Sequence, residues 1–268
     1  MNQEYIRRVL GLEGKKGIVT GGNSGIGRGA AVALASMGAE VTILGRDQPS
    51  IDETVAELRE LEPKCAGVRV DIAVKEEIDG FFDAYYREHD NQLDILVANA
   101  GICFRHRSME TTAEDVDVLF DINYKGTLFC CQQAAKAMKE QKSGNIVIVT
   151  SVNALYPLPT QAAYTSTKCA LEGLMQCMAV DLAPYGIRVN SLAPGAIRTN
   201  ISRGNPFDPN TVPRPGNKMP REMPNLPLGR AGDPEDMGDV IACMVSDAFR
   251  YMTGSTVLVD GGLKLRNV

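Results

Sequence analysis

Tyr164 and Lys168 stand four residues apart in AAYTSTKCAL, and Ser151 closes the apolar run NIVIVTS thirteen residues before the tyrosine. In a helix, positions i and i+4 share one face. The lysine ammonium would then lie beside the phenol, and a nearby positive charge favours the phenolate. An unperturbed tyrosine titrates near pH ~10, too high for a general base at neutrality. A phenol tuned downward could exchange a proton with a substrate hydroxyl, while Ser151, at a strand tip, orients the substrate oxygen. The pair by itself also fits an ordinary helix surface, so the elements that must position it decide the reading.

The first such element is near the N-terminus. A short β-rich run, Gly17 to Thr20, leads into Gly21-Gly22-Asn23-Ser24-Gly25-Ile26-Gly27 and then into the alanine-rich helical pattern RGAAVALASMGAE. A strand, a glycine turn and a helix start point free backbone N–H groups at a phosphate. Glycine suits a turn whose backbone must come close to its ligand. The spacing is GxxxGxG, not the common GxGxxG, and a turn that merely closes a βα unit is the alternative.

Further strand-like runs lie at 41–44, 68–70, 95–98, 146–150, 189–192 and 256–259, with helical spacing between them at Ile51, Val55, Leu58 and Leu61 and in parts of 112–140 and 163–183. Several strands are apolar throughout, as in a parallel sheet covered on both faces. Repeated βα units predict an α/β fold: a single-domain, doubly wound, Rossmann-type, mostly parallel seven-stranded sheet with helices on both faces. Right-handed crossovers bring the strand C-termini to one edge, and every motif named above falls there. No linker or repeat divides residues 1–268. The irregular stretch is 203–228, with seven prolines; it reads either as a surface excursion or as a loop, about 200–228, that closes over substrate.

Composition narrows the function. A net charge of −5 and a pI of about 5.2 disfavour nucleic acid and anionic membrane as partners. No apolar run approaches the roughly 18 residues a membrane span needs, and MNQEYIRRVL is not a signal peptide. Seven cysteines without CxxC pairs read as small buried hydrophobes in a reducing, cytoplasmic setting. Only two histidines, His89 and His106, are present, which argues against a zinc cluster and a Ser-His-Asp triad. No metal is expected.

TGGNSGIG, the ANAG of Ala98 to Gly101, Asn123 in DINYKG, Ser151, YTSTK and PGAIRT occur in this order. The set resembles the short-chain dehydrogenase/reductase family over essentially the whole chain. The resemblance implies hydride transfer between a nicotinamide and a secondary alcohol or ketone. Its catalytic set would be Asn123, Ser151, Tyr164 and Lys168: Tyr164 the acid/base, Lys168 lowering its pKa and bonding the nicotinamide ribose, Ser151 holding the substrate oxygen, Asn123 supporting a water that links Lys168 to solvent. A buried Asn123 that only bonds backbone is the alternative. The cofactor set would be Gly21, Asn23, Ser24, Gly25, Ile26, Gly27, Arg46, Asp71, Ile72, Asn99, Ala100, Gly101, Tyr164, Lys168, Pro194, Gly195, Ile197 and Thr199. ANAG replaces the family's usual NNAG.

Cofactor choice turns on VTILGRD. An acidic residue just after the second strand would bond a ribose 2′-hydroxyl, but Gly45 stands there and Arg46 follows. A guanidinium suits a phosphate monoester, which points to NADP, with NAD possible; Arg46 merely stacking on adenine, with Asp47 reaching the ribose, is the alternative. For substrate, the motif texture is most similar to the family's sugar, polyol and sugar-acid dehydrogenases. A 3-oxoacyl thioester reductase, a steroid or bile-acid dehydrogenase and a non-catalytic dinucleotide-binding protein are the alternatives. Leu155, Tyr156, Pro157 and Leu158 would line the pocket floor. Arg105, His106 and Arg107 either meet an acidic group or form a solvated basic loop. The family usually forms homotetramers, so a homotetramer, or a homodimer, is expected.

Overall fold

Seven strands, all paired in parallel, form one sheet in the order β3-β2-β1-β4-β5-β6-β7. The structure is a computed structural model, and it describes residues 3–199, 201 and 220–265. The strands are β1 (Lys16–Thr20), β2 (Glu40–Gly45), β3 (Ala66–Arg69), β4 (Ile95–Ala98), β5 (Gly144–Val149), β6 (Ile187–Pro194) and β7 (Thr256–Val259). All seven expected strands are present. β3 begins two residues before the expected run and ends one before it, because this half-exposed edge strand opens on Ala66 and Gly67, which give little apolar signal.

The helices are α1 (Gln3–Leu10), α2 (Gly25–Ser36), α3 (Gln48–Leu61), α4 (Lys75–Glu88), α5 (Ala113–Leu119), α6 (Thr127–Gln141), α7 (Ala162–Leu182) and α8 (Pro234–Val245). Strand side chains alternate between two cores. Leu96, Ala98, Ile146 and Ile148 pack with α4, α6 and α7, while Ile95, Val97, Val147 and Val149 pack with α2, α3 and α8. The inner strands are buried on both faces, which is why they read as unbroken apolar runs.

The strand order reverses between β1 and β4, so a crevice opens at the carboxyl ends of these two strands. Glycine turn, ANAG turn, Ser151 and the start of α7 all border that edge. The stretch 112–140 is not one continuous α-helix: Phe120–Gly126, between α5 and α6, is π-helical. Most of the proline-rich segment, residue 200 and residues 202–219, lies outside the described residues. Among the described residues no helix is long and apolar enough to cross a membrane.

Candidate active site

The crevice holds a cavity of about 370 Å³. Its walls come from four strand ends: Gly21, Asn23, Ser24, Gly25 and Ile26 after β1; Gly45, Arg46 and Asp47 after β2; Val70, Asp71 and Ile72 after β3; Asn99, Ala100, Gly101 and Ile102 after β4. Phe104, Ile122, Thr199 and Ile201 complete it. A larger groove of about 1070 Å³ lies between α1, α2 and α8 and shares no residue with this set; size alone does not mark the site.

Two residues hold the turns together. Thr20 Oγ1 accepts from the backbone N–H groups of Asn99 and Ala100, each at 3.0 Å. Asn99 Nδ2 donates to the carbonyls of Thr20 and Gly21 at 2.9 and 3.3 Å. The glycine requirement is steric at two positions. Gly21 has φ +63°, and a Cβ there would lie 3.0 Å from Ala100 Cα; a Cβ on Gly27 would lie 2.2 Å from the Gly21 carbonyl oxygen. Gly27 therefore supports the turn from behind instead of lining the cavity. Ser24 is the N-cap of α2 but makes no capping bond, which leaves its hydroxyl and the first-turn amides directed at the cavity.

At the other end of the cavity the Arg46 guanidinium lies 3.6 Å from Asp71 Oδ2. Asp47 caps α3, accepting from Ser50 N at 3.1 Å, and Asn23 Nδ2 donates to Ser50 Oγ at 2.7 Å. The PGAIRT residues divide. Thr199 lines the cavity. Ile197 packs into the α2/α8 core, and Gly195 N donates to Val259 O at 2.9 Å just beyond Pro194, the last residue of β6. These three can serve the cavity only through backbone or by shaping its floor. A turn of free amides, small residues pressed against it and apolar walls from Val70, Ile72 and Ile102 fit a dinucleotide.

The second half of the site is a buried side-chain cluster. Tyr164 and Lys168 face inward from the first two turns of α7 and are almost fully buried. Lys168 Nζ donates to Val149 O at 2.9 Å and lies 5.7 Å from the Tyr164 ring centroid. Ser151 begins a short 3-10 turn, accepts from Asn153 N at 3.1 Å, and its hydroxyl favours the ionised form of the Tyr164 phenol. Asn123 sits in the π-helical segment with no exposed surface. Its Oδ1 accepts from Ile102 N at 2.8 Å, and its Nδ2 donates to Ile102 O at 3.0 Å and to Thr167 Oγ1 at 3.1 Å. The side chain is therefore spent on protein partners. A Cβ on Gly101 would lie 3.0 Å from Asn123 Oδ1 and 3.6 Å from Lys168 Nζ, so the cavity floor and the cluster touch.

The electrostatics differ from the sequence expectation. Burial pushes the Tyr164 phenol above the ordinary tyrosine range, against which the Ser151 hydroxyl pulls only partly. Burial also brings the Lys168 ammonium down to about 8. Desolvation is the largest influence on both groups, so in the protein alone the phenol is a proton donor and not an incipient phenolate.

Three polar features escaped the motif reading. Cys103, two residues past the ANAG turn, is buried and faces Tyr164 and Lys168 electrostatically. Asn153 and Gln161 are buried and bonded to each other between Ser151 and the start of α7. Glu172 accepts hydrogen bonds one turn beyond Lys168. Position relative to Ser151, Tyr164 and Lys168 is the only signal that would have drawn attention to them. In the basic loop Arg105 and Arg107 are exposed, as a solvated loop requires, while His106 Nδ1 lies 2.7 Å from Asp115 Oδ2.

The family model described as enoyl-(acyl carrier protein) reductase matches residues 21–264. The L-rhamnose 1-dehydrogenase (NAD(P)(+)) of Sphingomonas sp. strain SKA58 is 38% identical over 255 residues, covering 94% of this chain and 97% of its own. The chain belongs to the short-chain dehydrogenase/reductase family. The L-rhamnose 1-dehydrogenase (NAD(P)(+)) of Azotobacter vinelandii is 37% identical, covering 92% of this chain and 95% of its own. Among solved structures, a short-chain dehydrogenase/reductase from Mycobacterium marinum superposes with a TM-score of 0.84 at 31% identity, covering 96% of this chain and 98% of its own. An acetoin dehydrogenase from Salmonella typhimurium gives 0.82 at 30%, covering 94% and 96%. This short-chain dehydrogenase is thus an NAD(P)-dependent oxidoreductase acting on CH–OH groups.

Proposed function

We propose that this short-chain dehydrogenase interconverts a carbinol and a carbonyl on a sugar, polyol or sugar acid. The observation that carries the reading is the buried cluster that gathers Ser151, Tyr164 and Lys168, with Lys168 Nζ held on the Val149 carbonyl two residues before Ser151. Tyr164 gives a proton to the substrate oxygen in reduction and takes it in oxidation. Ser151 shares that oxygen and stabilises the charge that develops on it. Lys168, protonated, holds the phenol's electrostatic environment and bonds the nicotinamide ribose. Asn123 acts first as a strut, tying the π-helical segment to Ile102 and Thr167; the water it supports would be held by its backbone, because its side chain is already committed.

A bound nicotinamide supplies the hydride acceptor or donor, and the protein supplies position and protons. Gly21, Asn23, Ser24, Gly25 and Ile26, backed by Gly27, would hold the pyrophosphate; Asp71 and Ile72 the adenine; Asn99, Ala100 and Gly101 the ribose side; Pro194, Gly195, Ile197 and Thr199 the carboxamide. NADP is the preferred cofactor. Arg46 lines the cavity beside Gly45, and Asn23 and Ser50 add hydrogen-bonding groups next to it.

A sugar-type substrate is supported by the two L-rhamnose 1-dehydrogenase relatives. The name of the matching family model keeps a thioester-linked acyl substrate as the second reading. The proline-rich segment 200–228 is assigned to substrate closure from its sequence position after PGAIRT. A cytoplasmic homotetramer or homodimer is the expected form. Initial rates on aldoses, polyols, sugar acids and 3-oxoacyl thioesters, each with both cofactors, test the proposal. Preference for a sugar, polyol or sugar acid supports it, and preference for a thioester replaces it with the second reading.

A further inference from the structure

Three consecutive residues at the end of β5 each address a different polar residue on α7. The Val149 carbonyl accepts from Lys168 Nζ, Thr150 Oγ1 donates to Glu172 Oε1 at 2.6 Å, and the Ser151 hydroxyl acts on the Tyr164 phenol. Only Glu172 has no part in the chemistry described above. Its other carboxylate oxygen accepts from Ser191 Oγ on β6 at 2.8 Å and from Thr256 Oγ1 on β7 at 2.6 Å. A carboxylate is an acceptor, and three hydroxyl groups converge on this one. Apart from Tyr164, Thr167 and Lys168, the buried residues of α7 are apolar, Leu171, Met175 and Met178 among them. A helix that needed only to pack would carry another such residue here.

We propose that Glu172 is a positioning residue for Lys168: fixed by hydroxyls from three adjacent strand segments, its carboxylate is the counter-charge that holds the buried ammonium protonated and in register with Tyr164. The proposal rests on the reading of Tyr164 and Lys168 as the reacting pair. Positions i and i+4 on a helix are neighbours, and a buried ammonium without a counter-charge tends to shed its proton. Cys103 and, after it, Glu172 oppose the effect of burial on Lys168. Other titratable groups on the packed elements are arranged differently. The Cys103 thiol faces the same cluster. Asp115 is paired with His106 and Asp121 with Lys125. Lys136, Lys139 and Glu140 of α6 and Arg188 of β6 belong to the amino edge of the sheet, and the 3-10 turn Val152–Ala154 carries no charge.

The test is a ¹⁵N NMR titration of the Lys168 ammonium in protein labelled at lysine, with Lys168→Met identifying the resonance. In Glu172→Gln the titration falls by about one pH unit, and the alkaline limb of kcat, where Lys168 loses its proton, moves with it. Glu172→Asp, which keeps the charge, restores most of the shift. A folded Glu172→Gln protein whose Lys168 titrates as in the wild type overturns the proposal, even if its Tm has dropped. If Glu172→Gln does not fold, the double variant Ser191→Ala/Thr256→Val carries the test: the freed carboxylate lets the Lys168 titration fall part of the way, and an unmoved titration is again fatal. If Glu172→Gln moves the Lys168 titration as expected but the wild type reduces no carbonyl, the enzymatic reading fails and the charge pairing stands.

Discussion

The two halves of the site are built on opposite principles. The glycine-turn half is backbone held to backbone by short polar side chains: Thr20 and Asn99 clamp two loops, and Asn23 braces Ser50. Its partners are neutral, so binding capacity is obtained without burying charge. The α7 half places a phenol and an ammonium where water is excluded, and burial drives both toward their neutral forms. Function there costs stability, as reactive sites often do. One half is exacting about shape and the other about charge.

The most damaging test of that contrast is Tyr164→Phe. It removes one oxygen from the charge-sensitive half and leaves the cavity intact, so turnover falls by about three orders of magnitude. NADPH affinity, followed by nucleotide fluorescence, stays within about twofold, because the turn residues are untouched. Lys168→Met also removes most turnover but should gain stability. The folded-state pKa of about 8 lies below the ordinary lysine value of 10.5, so holding the proton at neutral pH works against folding. Sign and window follow: the variant is more stable near pH 7, by up to about 3 kcal/mol. The wild type recovers the difference as pH rises from about 8 toward 10.5, where its folded form has released the proton and its unfolded form has not. Denaturant melts of both proteins at several pH values check this.

In the shape-sensitive half the sign reverses. Gly27→Ala gains up to about 1 kcal/mol of helix propensity, yet its methyl would press on the Gly21 carbonyl at 2.2 Å, an atom of the turn with no freedom to retreat. The clash wins, and NADPH affinity falls about 30-fold with kcat at saturation little changed. Arg46→Ala is the mildest: KM for NADPH rises about tenfold while KM for NADH stays within about twofold, measured by steady-state kinetics with each nucleotide. Equal effects on both nucleotides would reduce Arg46 to an adenine-stacking group.

The glycine turn, the strand ends and the i, i+4 spacing of Tyr164 and Lys168 were legible in the sequence because each is a local rule of backbone sterics or helix period. Long-range pairing was not. Nothing near His106 announces that Asp115 will take it up, and nothing near Thr150 announces that its hydroxyl will meet a glutamate 22 residues later. The direction of the Tyr164 pKa was misjudged for the same reason. A sequence shows which charges are neighbours along a helix but not how much protein encloses them. Thr160 shows the limit most plainly: a β-branched residue at φ +64°, just before Gln161 and α7, held in a conformation its own preferences oppose.

The π-helical segment Phe120–Gly126 makes the chain sensitive to length and not only to composition. Deleting one residue from it would let α5 and α6 fuse into a regular spiral, with better local bonding than before. The same deletion would rotate everything on one side by about 100° relative to the other, swinging Asn123 off Ile102 and Thr167 or displacing the whole of α6 from the sheet. A shortened chain of that kind would gain helix and lose the strut, which makes the surplus residue a feature that selection would have to keep against the backbone's own preference.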